Sequence, residues 1–242
     1  MVKEWYKKQG FKANPLHTEA RFNDPFLGYD VLLKDIEYRI DSGSIIFVDG
    51  KLGKTALLMK IIDKFKGKGK VAYVNCEKVK DEPNIKRLLA NGKRSILNQV
   101  VPMKRDMIIL MDNVNYLSAD NTEKIKYYFD EGYIKSIVLT AQNYLQSHIP
   151  QSLRHRIGRR VYSLKDLTND EITAIICERL DNSDFFPEEL IRKVVSKSKG
   201  LIEAMDICNS ALMIMSNEDY SRMNEEIVDR VLEEKEKNGM VS

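Results

Sequence analysis

Two glycines, two lysines and a threonine fall close together in Val48-Asp49-Gly50-Lys51-Leu52-Gly53-Lys54-Thr55, and residues of these types at this spacing suit the holding of an anion. The turn ends in Gly-Lys-Thr. It follows the apolar run Ser44-Ile45-Ile46-Phe47-Val48 and precedes the helix-like stretch Ala56-Leu57-Leu58-Met59-Lys60-Ile61-Ile62. Strand, glycine-bearing turn and helix are the layout of a phosphate-binding loop, in which backbone N–H groups and the positive end of the helix surround the anion. Gly50, Lys51, Leu52, Gly53, Lys54, Thr55 and Ala56 are therefore expected to line a nucleoside triphosphate. Lys54 would reach the outer phosphates and the Thr55 hydroxyl would ligate Mg2+. The full pattern has a glycine five residues before Gly53 and commonly another two before it. Here those places hold Val48 and Lys51, and Gly50 falls one position early. Glycine permits positive φ and close backbone approach to phosphate, which Val48 and Lys51 permit less readily.

A second chemical residue ends the run Met107-Ile108-Ile109-Leu110-Met111-Asp112. An unbroken apolar run of this length reads as a strand buried on both faces of a parallel sheet. Ligands bind at the C-terminal edge of such sheets, so Asp112 stands where it could organise the magnesium shell together with Thr55. In hydrolytic sites of this kind the next residue is usually glutamate, which polarises the attacking water. Here it is Asn113, which cannot accept a proton. Hydrolysis is expected to be slow unless another group, such as Glu77 after the second strand, supplies the base.

These residues need elements to place them. Strands are expected at 44–48, 70–75, 107–112, 134–140 and 160–164, with helices at 29–40, 56–62, 83–100 and 119–131 between them. That alternation implies crossover units and a doubly wound α/β fold with a parallel five-stranded sheet. Strand signals stop after Leu164. Segments 168–180, 187–198, 201–216 and 224–237 are all helix-like, the first opened by the capping box Thr168-Asn169-Asp170-Glu171. The division expected is an α/β domain with its N-terminal arm over 1–166 and a small helical domain over 167–242.

Bulk properties exclude several classes. The chain of 242 residues is 43% hydrophobic and 31% charged with net charge +3, ordinary for a globular protein and too weak a charge to indicate nucleic acid by itself. Cys76, Cys177 and Cys208 are odd in number and widely spaced, and read as reduced thiols. His17, His148 and His155 are too scattered for a metal site or a hydrolase triad. No signal core or membrane span is apparent, so a cytoplasmic location is expected. Lys60, Lys64, Lys66, Lys68 and Lys70 form a basic strip that reads as a solvated helix face or as a DNA contact.

With the Gly-Lys-Thr loop and Asp112 in place, the chain resembles the AAA+ superfamily of P-loop ATPases, especially archaeal members related to origin-recognition proteins and to general-secretion ATPases. The resemblance runs through Phe11–Gly28, Ile45–Leu58, Val71–Glu77, Ile108–Asn115, Ile137–Asn143 and Ser152–Arg179. It implies ATP and Mg2+ as ligands, a sensor role for Asn143 on the γ-phosphate or the attacking water, and a lid made by the helical domain. It also implies an arginine finger from Arg154 or Arg156 that serves a neighbouring subunit. Position in the fold favours the finger for the cluster Arg154, His155, Arg156, Arg159 and Arg160, with a phosphate-backbone patch or a solvated loop as the alternatives. Where such lids carry Gly-x-Pro-Arg, this chain has Gly200-Leu201-Ile202-Glu203. No winged-helix sequence follows.

Three functions fit. The first is an ATP-binding protein with weak or partner-stimulated hydrolysis that organises a protein or DNA assembly with AAA+ neighbours in a homo- or hetero-oligomer. The second is a nucleotide-free scaffold or adaptor, as Val48, Lys51, Asn113 and Glu203 suggest. The third is an ATP-dependent DNA-binding factor in replication or mobile-element maintenance.

Overall fold

A computed structural model describes residues 4–17, 29–66, 70–78, 85, 89 and 105–239. In chain order the first elements are α1 (Trp5–Lys8), α2 (Asp30–Asp41), β1 (Ile45–Asp49), α3 (Lys54–Phe65), β2 (Val71–Asn75) and β3 (Met107–Asp112). There follow α4 (Ala119–Asp130), β4 (Ile134–Ala141), α5 (Gln151–Ile157) and β5 (Val161–Ser163). The last are α6 (Asn169–Arg179), α7 (Glu188–Lys197), α8 (Leu201–Asn217) and α9 (Glu225–Gly239). The chain divides into two compact units, one spanning Tyr29–Asp166 and the other formed by Met1–Gly28 with Leu167–Ser242.

In the α/β unit the five strands form one sheet in the order β2-β3-β4-β1-β5, and every neighbouring pair is parallel. All of β3 is buried, as is β4 apart from Lys135, because helices cover both faces of the sheet. On one face α2 and α3 bury Ile36, Ile40, Leu57, Leu58, Ile61 and Phe65, and Lys64 of α3 pairs with Glu37 of α2 at 3.5 Å. On the other, Phe47, Ile109, Met111, Ile137 and Leu139 pack with Ile125 of α4 and Leu153 and Ile157 of α5. Strand pleating sends alternate residues to opposite faces, so β1 contributes Ile46 and Val48 to one core and Ile45 and Phe47 to the other.

The expected doubly wound sheet and helical C-terminal region are present, with element ends shifted by up to three residues. Helix 83–100 lies outside the described residues except Ile85 and Leu89, which are helical and buried. The basic cluster does not form a loop throughout, since Arg154, His155 and Arg156 lie on α5. In the lysine strip, Lys64 pairs with Glu37, Lys66 with Asp63 at 2.5 Å and Lys70 with Asp106 at 3.1 Å. Lys68 lies outside the described residues.

The helical unit starts where its sequence says it should. The Thr168 hydroxyl accepts from Glu171 N at 3.3 Å, and the Glu171 carboxylate accepts from Thr168 N at 2.8 Å, which satisfies two N-terminal donors of α6 reciprocally. Ile176, Val194, Cys208, Leu212 and Val228 from α6 to α9 form its core, and Trp5 and Leu16 of the N-terminal arm belong to the same core. The sequence order grouped this arm with the α/β domain; its described part packs in the helical unit instead. Trp5 Nε1 donates to Asn209 Oδ1 at 2.8 Å, and Asn14 Nδ2 donates to the same oxygen at 3.0 Å. The Arg179 guanidinium donates to His17 O at 2.7 Å. A buried indole needs both apolar neighbours and a partner for its N–H, and α8 offers both.

Trp5→Ala is expected to destabilise the protein by roughly 3–5 kcal/mol, the usual cost of truncating a buried aromatic side chain. Denaturant unfolding reads this as a lowered midpoint. An unchanged midpoint would show that the arm adds nothing to the helical core.

Candidate nucleotide-binding site

The irregular glycine spacing has a structural reason. Val48 is fully buried within β1, opposite Thr140 on β4 and Tyr162 on β5, so it is a strand residue and the loop begins only after Asp49. The chain then turns within Gly50–Gly53 and enters α3 at Lys54. Gly50 has φ +143 and Gly53 φ +85. A Cβ at Gly50 would stand 2.9 Å from Leu164 Cβ and 3.0 Å from Leu164 O, so only glycine fits there. Leu164 is held in that place by its own N–H, which donates to Asp49 O at 2.8 Å. Gly53 is the N-cap of α3 and brings no side chain to cap it. The first N–H groups of the helix, on Lys54, Thr55 and Ala56, therefore present the positive end of its dipole without a capping side chain.

Lys54 is 9% exposed. Its Nζ donates to Gly50 O at 2.5 Å and Lys51 O at 3.2 Å, two of the three donors an ammonium has. Burial lowers its pKa, and the nearby Asp112 and then Asp49 counter part of that shift. Asp112 is completely buried. Its Oδ2 accepts from the Thr55 hydroxyl at 2.6 Å and, more weakly, from Tyr73 OH at 3.4 Å, while its Oδ1 accepts from the Thr140 hydroxyl at 2.5 Å. A buried carboxylate must be compensated in this way. Because Thr55 gives its proton to Asp112, its oxygen lone pairs are left for a cation. Mg2+ is ordinarily held by one or two carboxylates with substrate phosphates and waters. Among the described residues no group of three His, Cys, Asp or Glu could hold a metal unaided. The donor set of Thr55 and Asp112 thus fits Mg2+ that arrives with phosphates.

The structure brings Lys54, Thr55 and Asp112 together and adds Thr140, Tyr73 and Asp49, which sequence reasoning missed. The one available signal was Thr140 as a polar residue in the apolar run Ile137-Val138-Leu139. The remaining candidates are placed differently. Asn113 has left-handed backbone, φ 57 and ψ 52, and its amide donates to Glu77 Oε2 at 2.9 Å. Asn143 Oδ1 accepts from Leu145 N at 2.9 Å and Gln146 N at 3.2 Å, which shapes the turn after β4, and Tyr144 N ties this turn to Asp49 Oδ2 at 3.2 Å. Arg154 is engaged within its own unit. Its guanidinium donates to the carbonyls of Ile149, Tyr144 and Ser147 at 2.8–3.1 Å and lies 4.6 Å from the Tyr144 ring centre. Arg156 is exposed and pairs with Asp130 at 3.1 Å. In the helical unit Glu203 lies in the first turn of α8, where an acid suits the helix dipole, and accepts from Lys199 N, just before the helix, at 2.5 Å.

Sheet order and loop together define a class: β4 separates the loop strand β1 from the Asp112 strand β3, and all five strands are parallel, as in a P-loop ATPase fold. The family model described as AAA domain matches residues 43–173, more than half of the chain. The chain belongs to that family. Among solved structures it is similar to Cdc6p from Pyrobaculum aerophilum, with TM-score 0.72 and 14% identity over 90% of this chain and 69% of that one. It is also similar to Aeropyrum pernix ORC1 in complex with DNA, with TM-score 0.67 and 14% identity over 93% and 69%. A third is Drosophila ORC bound to DNA, with TM-score 0.64 and 19% identity over 90% of this chain but only 63% of that one. No curated protein matches the sequence. Among the described residues no helix is long and apolar enough to cross a membrane.

Burial, and then the charge of Asp112, push the Tyr73 phenol up from 10.0 to about 12. Between those values the unfolded chain loses a proton that the folded chain keeps, so stability should fall as pH rises through this window. Tyr73→Phe is expected to lose less stability than the parent between pH 10 and pH 12, measured by denaturant unfolding at each pH. Parallel curves for the two proteins would show that Tyr73 does not donate to a buried charge.

Proposed function

We propose that this chain binds Mg2+-ATP on the loop Gly50–Ala56 and hydrolyses it weakly or under stimulation by a partner, with the nucleotide state organising a protein or DNA assembly. One observation carries this reading: Lys54, Thr55 and Asp112 converge at the uncapped start of α3. The N–H groups of Gly53, Lys54, Thr55 and Ala56 would cradle phosphate. Lys54 would exchange its carbonyl partners for phosphate oxygens, a charge-assisted contact stronger than the ones it replaces. Asp112 would orient the Thr55 hydroxyl toward the cation. Bound Mg2+ would supply charge neutralisation on the phosphate oxygens. Asn143, on a turn tied to Asp49, is the candidate for contact with the terminal phosphate.

With Arg154 engaged by three carbonyls, Arg156 is the candidate finger toward a second AAA+ subunit, which makes an oligomer part of the reading. DNA is a further candidate partner, supported by similarity to proteins whose structures contain DNA. A cytoplasmic location is supported by three unpaired cysteines. The second reading, a scaffold without nucleotide, is favoured by a separate observation: Lys54 already donates to Gly50 O and Lys51 O, as a lysine serving its own loop would.

Lys54→Ala is expected to keep the fold and to weaken Mg2+-ATP binding by about 10- to 100-fold, as loss of a charged hydrogen bond does. Titration with a fluorescent ATP analogue checks it, and unchanged affinity would favour the scaffold. If Arg156 acts on a neighbour, mixing Lys54→Ala with Arg156→Ala subunits should restore part of the turnover that each variant lacks. Mixed assemblies without such rescue would assign Arg156 to its own chain.

A further inference from the structure

Asparagine at position 113 leaves the end of β3 without a proton acceptor, and a carboxylate from the neighbouring strand stands beside it. β2 and β3 run in register with Asn75 opposite Asp112, so the residues that follow each strand share the sheet edge that carries Asp112. Cys76 N donates to Asp112 O at 2.9 Å, which continues the ladder one residue beyond β2. Asn75 Oδ1 then accepts from Glu77 N at 3.1 Å and Lys78 N at 3.3 Å, a side-chain-capped turn of the kind asparagine favours. That turn brings Glu77 to Asn113, whose amide donates to Glu77 Oε2 at 2.9 Å.

Asn113 is itself held in place. Its N–H donates to Thr140 Oγ1 at 3.3 Å, and Thr140 donates to Asp112. Glu77, Asn113, Thr140, Asp112 and Thr55 therefore form one hydrogen-bonded series that ends at the cation ligand. The left-handed backbone at 113 favours asparagine over glutamate, because a short amide tolerates that conformation where a longer side chain is disfavoured. Asparagine here answers a backbone demand and supplies a donor to a carboxylate next door.

We propose that Glu77 is the general base of ATP hydrolysis and that Asn113 is its positioning residue, the base having moved from the end of β3 to the end of β2. This rests on the reading of the loop as an ATP site. Oε2 is occupied by the Asn113 amide, which leaves Oε1 of the exposed Glu77 to face water. A water molecule passes a proton to Oε1 as its oxygen bonds to the γ-phosphorus. The bond from that phosphorus to the bridging oxygen breaks, and its electron pair leaves with ADP. Glu77 afterwards returns the proton to solvent. The Asn113 amide fixes the direction of the carboxylate.

The test uses the full chain, with Mg2+-ATP binding measured first by fluorescent-nucleotide titration and turnover second. Glu77→Gln should bind as the parent does and lose roughly 100-fold or more in turnover, the contribution of a positioned base. Asn113→Ala should lower kcat with KM unmoved. The combined Glu77→Gln, Asn113→Ala variant should turn over no more slowly than Glu77→Gln alone, because a positioning residue has no effect once its base is gone. Turnover of Glu77→Gln comparable to the parent's, additive losses in the combined variant, or a parent that binds ATP without hydrolysing it would each overturn the proposal. A parent that binds no ATP would overturn the underlying reading and the proposal with it, and the titration distinguishes that failure from the others.

Discussion

The Asp112 carboxylate, buried without any solvent exposure, is the constraint on which the α/β unit's chemistry depends. An isolated charge in that position would cost several kcal/mol even after relaxation. Hydroxyls from α3, β4 and β2 converge on it, and the Lys54 ammonium lies near enough to feel its charge. Compensation of one carboxylate thereby ties the first turn of the loop helix to three strands. It also fixes the Thr55 oxygen, the Thr140 hydroxyl and, through Thr140, the backbone of Asn113. A site built on that centre is preorganised before any ligand arrives, because its polar groups are already aimed by partners they cannot leave without cost.

The departures from the usual motif pattern share this local logic. Val48 replaces a loop glycine because β1 runs one turn of pleat further, and the glycine that the turn needs is Gly50, where Leu164 leaves no room for a Cβ. Asn113 occupies a left-handed position and donates to a carboxylate. Glu203, in the first turn of α8, accepts from Lys199 N just before the helix. Each of these residues meets a demand of the surrounding backbone. The buried polar groups Lys54, Asp112 and Thr140 are all hydrogen-bonded.

Much of the fold was legible from residues alone. The run Met107–Met111 before Asp112 is apolar without alternation, as a strand covered on both faces is, and Gly-Lys-Thr marks the turn between the run ending at Val48 and its helix. Lys54, Thr55 and Asp112 could be grouped because they sit at fixed distances from strand ends. Thr140 and Tyr73 could not, since their roles come from the strand order β2-β3-β4-β1, a property of long-range pairing that no local pattern encodes. The partners of Arg154 were hidden for a related reason. The resemblance implied a finger from Arg154 or Arg156, and the partners of Arg154 are carbonyls of a turn a few residues away, acceptors with no sequence signature. The arm was misplaced because neighbours in sequence need not pack together. Trp5 follows the indole partner on Asn209, 204 residues away.

A crystal structure of the parent chain grown with Mg2+ and a non-hydrolysable ATP analogue tests the central claim most directly. The account predicts that Lys54 Nζ leaves Gly50 O and Lys51 O for the outer phosphates, that backbone N–H groups of Gly53, Lys54 and Thr55 meet a phosphate, and that Thr55 Oγ1 faces the cation while keeping Asp112 as its partner. Crystals grown at saturating analogue in which Lys54 still donates to its own loop carbonyls and no phosphate lies at the start of α3 would contradict it.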